Sequence, residues 1–263
     1  MKSEKDLKLQ IVEIGRHLYN RGFIAAGDGN ISVRLDDSIL TTPRSVCKGF
    51  LTPDMIVKVS LDGKQKLEGD RDASSELPMH LLIYEERHDV RAVVHAHPPC
   101  GTGYAAAGQA LDKALVSEVV LTLGCIPLAA YGTPSTNELT DAMRPLVKYH
   151  DALLMANHGA VAYGSDLETA HGRMETLEHV ARISLVARLL GGERELSREN
   201  IDKLIDLREK SGYMSSDKRC QVCGFMNTHL TENDRENEEV ISLKKSELVE
   251  LVKRASQLVL AAK

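Results

Sequence analysis

The sequence predicts an α/β protein, because stretches with helical periodicity alternate with short β-branched runs and with hairpin turns. The spacing of Leu7, Ile11 and Leu18 predicts an amphipathic first helix. Asp36-Asp37 and Asp62-Gly63 are typical of hairpin turns, which join antiparallel strands. With 263 residues and 43% hydrophobic content, the chain can bury a full core, as one large domain or as one domain with an appendage.

Composition excludes several classes of partner. The net charge of −5 argues against general nucleic-acid binding, for which a basic face would be expected. The sequence shows neither the apolar region of a signal peptide nor a run long enough to span a bilayer. Five cysteines at no framework spacing favour reduced thiols over disulfides. We therefore expect a cytoplasmic protein that acts on a small molecule, with no nucleic-acid and no membrane partner.

A second helix is predicted to begin near Ser74-Ser75-Glu76, after strand and hairpin segments over 30–34, 39–42 and 56–60. Serine before an apolar run and a proline in the first turn are typical helix starts, so Glu76 is expected at or beside the helix N-terminus. The helix dipole there favours an ionised carboxylate. A first-turn glutamate without a chemical role is the alternative interpretation.

The second half of the chain continues the alternation. We predict a helix or loop over 101–107, strand pieces over 118–124 and 126–129, and a helix that begins near 133–138. A buried strand over 151–159 and its continuation over 160–164 follow. A long helix is capped by Ser165-Asp166 and stopped by Gly191-Gly192.

Three histidines stand at the ends of buried runs. His95 and His97 lie two residues apart at the end of one run, so both imidazoles are expected on the same side of a strand. His158 closes a second run, in Asn157-His158-Gly159. With Glu76 they offer three imidazoles and a carboxylate, a set suited to Zn²⁺, with Mn²⁺, Fe²⁺ or Co²⁺ as alternatives. Such a set leaves positions for water or substrate, so we predict a catalytic metal site.

Five of the other seven histidines do not share this context and are assigned to the surface or to packing. They are His80, His88, His150, His171 and His179.

A glycine-rich turn contains Gly29-Asn30 and leads into a strand. It lacks the third glycine and the strand-loop-helix order of a dinucleotide fold. Its amides could hold a phosphate or a carboxylate. A tight turn that requires a positive φ is the alternative interpretation.

Beyond residue 192 the sequence becomes charged and turn-rich. We predict a catalytic domain over 1–192 and a helical C-terminal extension over 193–263, with helices over 197–211 and 244–262. Cys220 and Cys223 have the spacing of half a zinc knuckle, but a closed site needs two more ligands nearby. An ordinary loop or a degenerate knuckle is therefore the favoured interpretation.

Five linked motifs resemble the class II aldolase and adducin head family, which includes fuculose-phosphate aldolases and ribulose-phosphate epimerases. The resemblance covers about Leu7 to Gly192, and the motifs occur in the family's order and approximate spacing. They are Gly29-Asn30, Thr42-Pro43, Ser74-Ser75-Glu76, His95-Ala96-His97 and Asn157-His158-Gly159.

This resemblance implies a three-layer α/β/α domain with a largely antiparallel central sheet, assembled as a homotetramer with active sites at subunit interfaces. It implies that His95, His97 and His158 hold a divalent metal, and that Glu76 ligates it at rest and moves away as acid/base. The implied anion site gathers Gly29, Asn30, Arg44, Ser74 and Ser75. The implied reaction is retro-aldol cleavage of a phosphorylated ketose through a metal-stabilised enediolate.

Two departures from the family pattern affect the substrate. Family members that use sugar phosphates commonly follow Thr-Pro with Ser/Thr-Gly, whereas this chain has Arg44-Ser45, and Arg44 could bind phosphate or carboxylate. Fuculose-phosphate aldolases also carry a tyrosine proton donor where this chain reads Val116-Ser117-Glu118-Val119. The proton donor is therefore unassigned.

Three functions are compatible with these observations. The leading hypothesis is a metal-dependent aldolase acting on a small phosphorylated ketose. A decarboxylase or an epimerase on the same scaffold is the second. A non-catalytic adducin-like interaction module is the third, and the intact set of four ligands argues against it.

Overall fold

The structure is a computed structural model that describes residues 2–211 of the chain. The predicted helix over 244–262 and the Cys220–Cys223 pair lie outside the described residues. Within the described range, a central sheet carries helices on both of its faces. This confirms the expected three-layer α/β/α architecture.

Between residues 2 and 211 the sheet has eight strands. They are β1 (Asn30–Arg34), β2 (Ser38–Thr41), β3 (Val57–Ser60), β4 (Lys66–Glu68), β5 (Ala92–Ala96), β6 (Leu128–Ala129), β7 (Ala152–Met155) and β8 (Gly159–Gly164). Their order across the sheet is β4-β3-β2-β1-β5-β8-β7-β6. Neighbouring strands are antiparallel except β6 and β7, which confirms a largely antiparallel sheet.

The helices of the described range divide into two layers. They are α1 (Glu4–Asn20), α2 (Leu77–Glu86), α3 (Pro99–Ala106), α4 (Ser117–Thr122), α5 (Asn137–Val147), α6 (Leu167–Leu189) and α7 (Arg198–Lys210). Helices α1, α3 and α6 share one hydrophobic core with the sheet, and α2 and α5 share the core on the opposite face. Asp166 caps α6 through its side chain, as the sequence predicts.

Side chains of the central strands alternate between these two layers. Along β5, Val94 packs in the core with α1, α3 and α6, whereas Val93 packs with α2 and α5. Alternation therefore places His95 on the α2 side of the sheet. On the neighbouring strand β1, Asn30 pairs opposite His95 and Ser32 opposite Val93, so these polar residues share that side.

The prediction of a strand piece over 118–124 is wrong, because Ser117–Thr122 forms helix α4. Val119 and Leu123 pack in the main core, while Val120 packs in a smaller cluster with Ile201 and Ile205 of α7. Six residues are too few to show helical periodicity, so the apolar run Val119-Val120-Leu121 resembles that of a buried strand.

The same contacts between α4 and α7 bear on the predicted extension, because α7 begins beyond residue 192 and still packs on the domain. The boundary between 1–192 and 193–263 stays a prediction.

Among the described cysteines, Cys47 and Cys100 are free and Cys125 is disulfide-bonded, so the expectation of reduced thiols is wrong for Cys125. No described helix is both long enough and apolar enough to span a membrane.

A buried ion-pair network joins the two helical layers at the edge of the sheet. Asp151, just before β7, contacts Arg87 and Arg173 through its two oxygens at 2.7 Å each. Arg87 is almost fully buried and also donates to the carbonyl of His150 at 2.8 Å. Burial alone would lower the pKa of Arg87, but its bonds with Asp89 and Asp151 raise the pKa above its ordinary value.

We expect Asp151→Ala to reduce the free energy of unfolding by about 3–5 kcal/mol, because it leaves buried arginine charge without its partner. Asp89→Ala is the matched control. Asp89 also pairs with Arg87, but its side chain is 51% exposed, so we expect a loss of about 0–1 kcal/mol. Urea unfolding of both variants measures the difference, and equal losses would contradict a buried role for Asp151.

Candidate metal centre and active-site cleft

The chain around His95 and His97 is fixed on both sides as it leaves the sheet. His95 is fully buried and pairs opposite Val161 of β8. The backbone N–H of His97 donates to the carbonyl of Phe23 at 2.8 Å. Two residues later α3 begins, and Glu178 of α6 accepts its first free N–H groups, from Cys100 at 3.0 Å and Gly101 at 2.9 Å. The position of His97 is therefore set by both flanking elements.

His158 stands on the tight turn that joins β7 to β8. Asn157 has a φ of +56°, and asparagine tolerates this left-handed conformation better than most residues. Gly159 then allows close packing, because an added Cβ would lie 2.5 Å from Cδ2 of His97. The Asn-His-Gly motif thus supplies a turn, a candidate ligand and the space for a neighbouring ligand.

Glu76 is the N-cap residue of α2, as the sequence predicts. Its side chain makes no capping hydrogen bond, so the carboxylate is available for other contacts. Asn30 Nδ2 donates to Glu76 Oε2 at 2.8 Å, and Ser74 Oγ accepts the backbone N–H of Glu76 at 3.3 Å.

The candidate ligand atoms meet at one point. His95 Nε2 lies 3.3 Å from Glu76 Oε2, and His158 Nε2 lies 3.0 Å from Glu76 Oε1. His97 Nε2 lies 3.2 Å from His95 Nε2. Within the described chain, the ligand atoms of the three histidines fall within 4.8 Å of one another. The structure therefore brings together all four residues that the sequence singles out.

The far sides of the imidazoles set their orientation. His95 Nδ1 donates to the carbonyl of Ala160 at 2.9 Å, which leaves the Nε2 lone pair directed at the centre. His97 Nδ1 faces Asp28 Oδ2 at 3.5 Å. His158 Nδ1 is buried and has no hydrogen-bond partner among the described residues, so they do not fix its tautomer.

The pKa values of Glu76 and His97 are both lowered at this centre. Burial alone would raise the pKa of Glu76, but the adjacent imidazoles of His95 and His158 hold that pKa well below its usual range. Burial, followed by the charges of His95 and His158, lowers the pKa of His97 to about 4.

Glu76 Oε1 provides a test of whether a cation fits. This oxygen is buried and has no hydrogen-bond donor among the described residues, although it lies 3.0 Å from His158 Nε2. A carboxylate oxygen and imidazole lone pairs repel one another unless a proton or a cation lies between them. Three nitrogens and one orphaned oxygen around one point therefore fit a divalent cation.

A cleft of about 610 Å³ opens above the centre. Every residue of the anion site implied by the sequence lines it, together with three of the four metal-site residues. These are Gly29, Asn30, Arg44, Ser74, Ser75, Glu76, His97 and His158.

Backbone pairing between two loops explains this convergence. Pro43 pairs with Ala73 in an isolated bridge. The N–H of Arg44 donates to Asp72 O at 2.9 Å, and the N–H of Ser74 donates to Thr42 O at 3.2 Å. The loop that carries Arg44 is thus held beside the start of α2.

Gly29 and Asn30 stabilise the local structure of the cleft wall. Gly29 has a φ of +69°, and an added Cβ would lie 2.8 Å from His95 O. The tight-turn interpretation of this motif is therefore confirmed. The side chain of Asn30 contacts Glu76 and His80 through its two polar atoms, so it is already engaged within the protein.

Lys48 is a cleft residue that the sequence analysis missed. It is 2% exposed, and its ammonium donates to Gly27 O at 2.7 Å and Val46 O at 2.8 Å. Burial lowers the pKa of this lysine. The lysine joins two of the loops that line the cleft, and no motif around it distinguishes it from a surface lysine.

His80, which the sequence assigned to the surface or to packing, is packed in the interior, but its polar contacts were not predicted. It is fully buried and bonded to Asn30 and Ser32. A signal was present, since His80 lies four residues after Glu76 and therefore on the same face of α2.

Comparison with known proteins agrees with this geometry. The family model described as "Class II Aldolase and Adducin N-terminal domain" matches residues 9–185. The 3-oxo-tetronate 4-phosphate decarboxylase of Escherichia coli (strain K12) is 32% identical over 213 residues, which cover 79% of this chain and 97% of that protein. The L-fuculose phosphate aldolase of Methanocaldococcus jannaschii is 31% identical over 179 residues, covering 68% and 96%.

Solved structures give the same result. An L-fuculose 1-phosphate aldolase superposes with a TM-score of 0.72 at 28% identity, covering 79% of this chain and 97% of the aldolase. The relatives thus include both aldolases and decarboxylases. The chain belongs to the class II aldolase and adducin family and is an enzyme of the class II aldolase superfamily.

Proposed function

We propose that the protein is a metal-dependent carbon–carbon lyase whose leading reaction is the retro-aldol cleavage of a small phosphorylated ketose. The observation that carries the proposal is the meeting of three imidazole nitrogens and a buried carboxylate at the bottom of a cleft. The walls of that cleft carry the positively charged side chains of Arg44 and Lys48 and the N-terminus of α2, which suit an anionic substrate.

His95, His97 and His158 would hold the cation through their Nε2 atoms, with Glu76 as a fourth ligand. Zn²⁺ suits this set best, with Mn²⁺, Fe²⁺ or Co²⁺ as alternatives. When bound, the cation would polarise a substrate carbonyl and stabilise the negative charge that develops on it.

Glu76 is proposed to move the proton at carbon. In retro-aldol cleavage, the hydroxyl β to the carbonyl loses its proton and the carbon–carbon bond breaks towards the carbonyl. The carbon that keeps the electron pair then takes a proton. Glu76 Oε1 faces the centre without a hydrogen-bond donor in the described chain, so it is free to exchange a proton with a nearby carbon. The group that takes the proton from this hydroxyl, and that returns it in the reverse aldol direction, stays unassigned.

Phosphate is the anion that the cleft wall suits best. Ser74 and Ser75 precede α2, and helix N-termini favour phosphate. Arg44 is exposed at the cleft and can donate a bidentate hydrogen bond to an anion, while the buried Lys48 adds a second positive charge. These groups support a phosphorylated substrate.

Decarboxylation is the second candidate. The two separate positively charged side chains at the cleft, Arg44 and Lys48, favour it. The Escherichia coli relative is named for a substrate that is both an acid and a phosphate, which would need two anion contacts. Loss of CO₂ from a 3-keto acid leaves an electron pair on carbon, which again requires protonation there. Glu76 has the same task in both reactions.

We also propose that the chain assembles as a homotetramer, as the resemblance implies. Large apolar side chains near the end of α6 support an assembly, since Leu189 and Leu190 are 78% and 83% exposed. Light scattering after size-exclusion chromatography should give four times the 28.9 kDa chain mass, and a monomer mass would contradict this proposal.

For Glu76→Gln we expect a folded protein that keeps substantial metal but loses about 10²–10⁴-fold in turnover, the range for a positioned acid/base. Glu175→Gln, on α6 and away from this cleft, is the control and should keep full activity. Steady-state kinetics and metal analysis make the measurement. Unchanged turnover in Glu76→Gln would show that another group moves the proton.

For Gly159→Ala we expect Zn²⁺ affinity to fall by about 10–100-fold, because the new methyl group displaces the His97 ring. Gly103→Ala, where an added Cβ meets nothing within 4 Å, is the control and should bind metal like the wild type. Isothermal titration of the metal-free proteins measures both affinities. Equal affinities would mean that the ring position is unimportant for metal binding.

Arg44→Ala should weaken substrate binding by about 1.5–3 kcal/mol, the contribution of a charge-assisted hydrogen bond, with little change in metal content. Arg71→Ala, exposed and outside the cleft lining, is the control.

The assay uses ketose 1-phosphates, phosphorylated 3-keto acids and the unphosphorylated forms of both. Turnover of ketose phosphates supports the aldolase, and turnover of only the phosphorylated acids supports the decarboxylase. Turnover of unphosphorylated acids alone would contradict the phosphate site.

A further inference from the structure

A line of buried polar side chains runs from Glu76 into the layer between α2 and the sheet. Asn30 Nδ2 donates to Glu76 Oε2 at 2.8 Å, and His80 Nε2 contacts Asn30 Oδ1. Ser32 Oγ lies 2.7 Å from His80 Nδ1 and 2.7 Å from the hydroxyl of Tyr84. None of the four residues behind Glu76 is more than 4% exposed.

The chemistry of each group fixes the direction of these hydrogen bonds. The Asn30 amide must turn its NH₂ group towards the carboxylate, because its oxygen would be repelled there, so its Oδ1 accepts from His80. His80 Nε2 therefore carries the ring proton and Nδ1 accepts from the hydroxyl of Ser32. Having donated its one proton, Ser32 accepts from Tyr84. Every donor in the line points towards Glu76.

The protonation states of the two aromatic residues agree with this direction. Burial, followed by the charge of His95, lowers the pKa of His80 to about 3, so the ring is neutral at physiological pH and can accept at one nitrogen while it donates at the other. Burial raises the pKa of Tyr84 above its ordinary value, so the phenol keeps the proton that it donates.

Spacing along both elements brings the line together. Glu76, His80 and Tyr84 follow one another at intervals of four residues, which places them on one face of α2. Asn30 and Ser32 alternate along β1 and share the face of the sheet that α2 covers. The surrounding layer is apolar, so the polar line stands out from its neighbours.

We propose that Tyr84, Ser32, His80 and Asn30 form a one-way hydrogen-bond relay that positions the Glu76 carboxylate, with His80 as its central positioning residue. The relay holds Oε2 on Asn30 and leaves Oε1 directed at His158 and the cleft. Its importance for turnover rests on the proposed function, in which Glu76 moves the proton at carbon. The relay itself is a property of the folded protein without metal or substrate.

Nitrogen NMR of the metal-free protein tests the relay independently of any reaction. Histidine ¹⁵N shifts in the wild-type protein, with the His80 signals assigned by their loss in His80→Gln, should give the neutral Nε2–H tautomer at neutral pH. An Nδ1–H tautomer or a charged ring at His80 would overturn the proposed direction.

Kinetics with saturating Zn²⁺ test its role in turnover. His80→Leu removes the donor to Asn30, and kcat should fall by about 10–100-fold with little change in KM, as for other groups that orient a metal-site residue. His80→Gln keeps an N–H near the Nε2 position and should retain most of the activity. Equal losses in the two variants, in step with lost stability, would show that His80 only packs.

Two further comparisons separate positioning from stability. Tyr163→Phe removes a buried hydroxyl that is bonded to Val147 O at 3.2 Å and His150 O at 2.6 Å, and to no residue of the relay, and should lower stability while leaving kcat unchanged. In a Glu76→Gln background, His80→Leu should cause little additional loss, because the relay acts through that carboxylate. Additive losses would overturn the proposal. If wild-type protein turns over none of the assay compounds, the proposed function fails, while the NMR measurement still decides the relay.

Discussion

The cluster of one half-buried carboxylate and three imidazoles is the constraint that the surrounding elements serve. Glu76 lies 3.3 Å from His95 and 3.0 Å from His158, in a place where lone pairs on both sides oppose one another. Such a cluster is stable only with a proton or a cation at its centre. The neighbouring elements either fix the backbone that carries these side chains or orient the imidazole rings.

The antiparallel sheet makes this possible by ending several strands at the same place. Strand β5 delivers His95 and His97, the β7–β8 turn delivers His158, and β1 presents Asn30 opposite His95. Helix α2 begins at the same edge, so the N-cap position can carry Glu76 while Ser74 and Ser75 before it line the cleft. An anionic substrate bound there would meet a metal site, a helix N-terminus and two cations within a single cleft.

Much of this could be predicted from local patterns, and the exceptions have physical causes. Histidines at strand ends, a serine-rich helix start and hairpin turns are local signals, so the candidate metal-site residues and most elements followed from them. Helix α4 did not, because its six residues are too few to show helical periodicity and its apolar run resembles a buried strand. Lys48 was missed because its two carbonyl acceptors come from loops that meet only in the folded chain. The polar contacts of His80 were missed because they depend on a strand forty-eight residues away, through Ser32.

The central claim is that His95, His97 and His158 bind one divalent cation through their Nε2 atoms. Anomalous diffraction from crystals grown with Zn²⁺ and collected at the zinc edge tests it most directly. We expect one strong peak between the three rings, at about 2.0–2.1 Å from each Nε2 atom, with a Glu76 oxygen as the further protein ligand or moved aside by substrate. A site that stays empty at saturating Zn²⁺, or a peak bound through Nδ1 atoms, would contradict it.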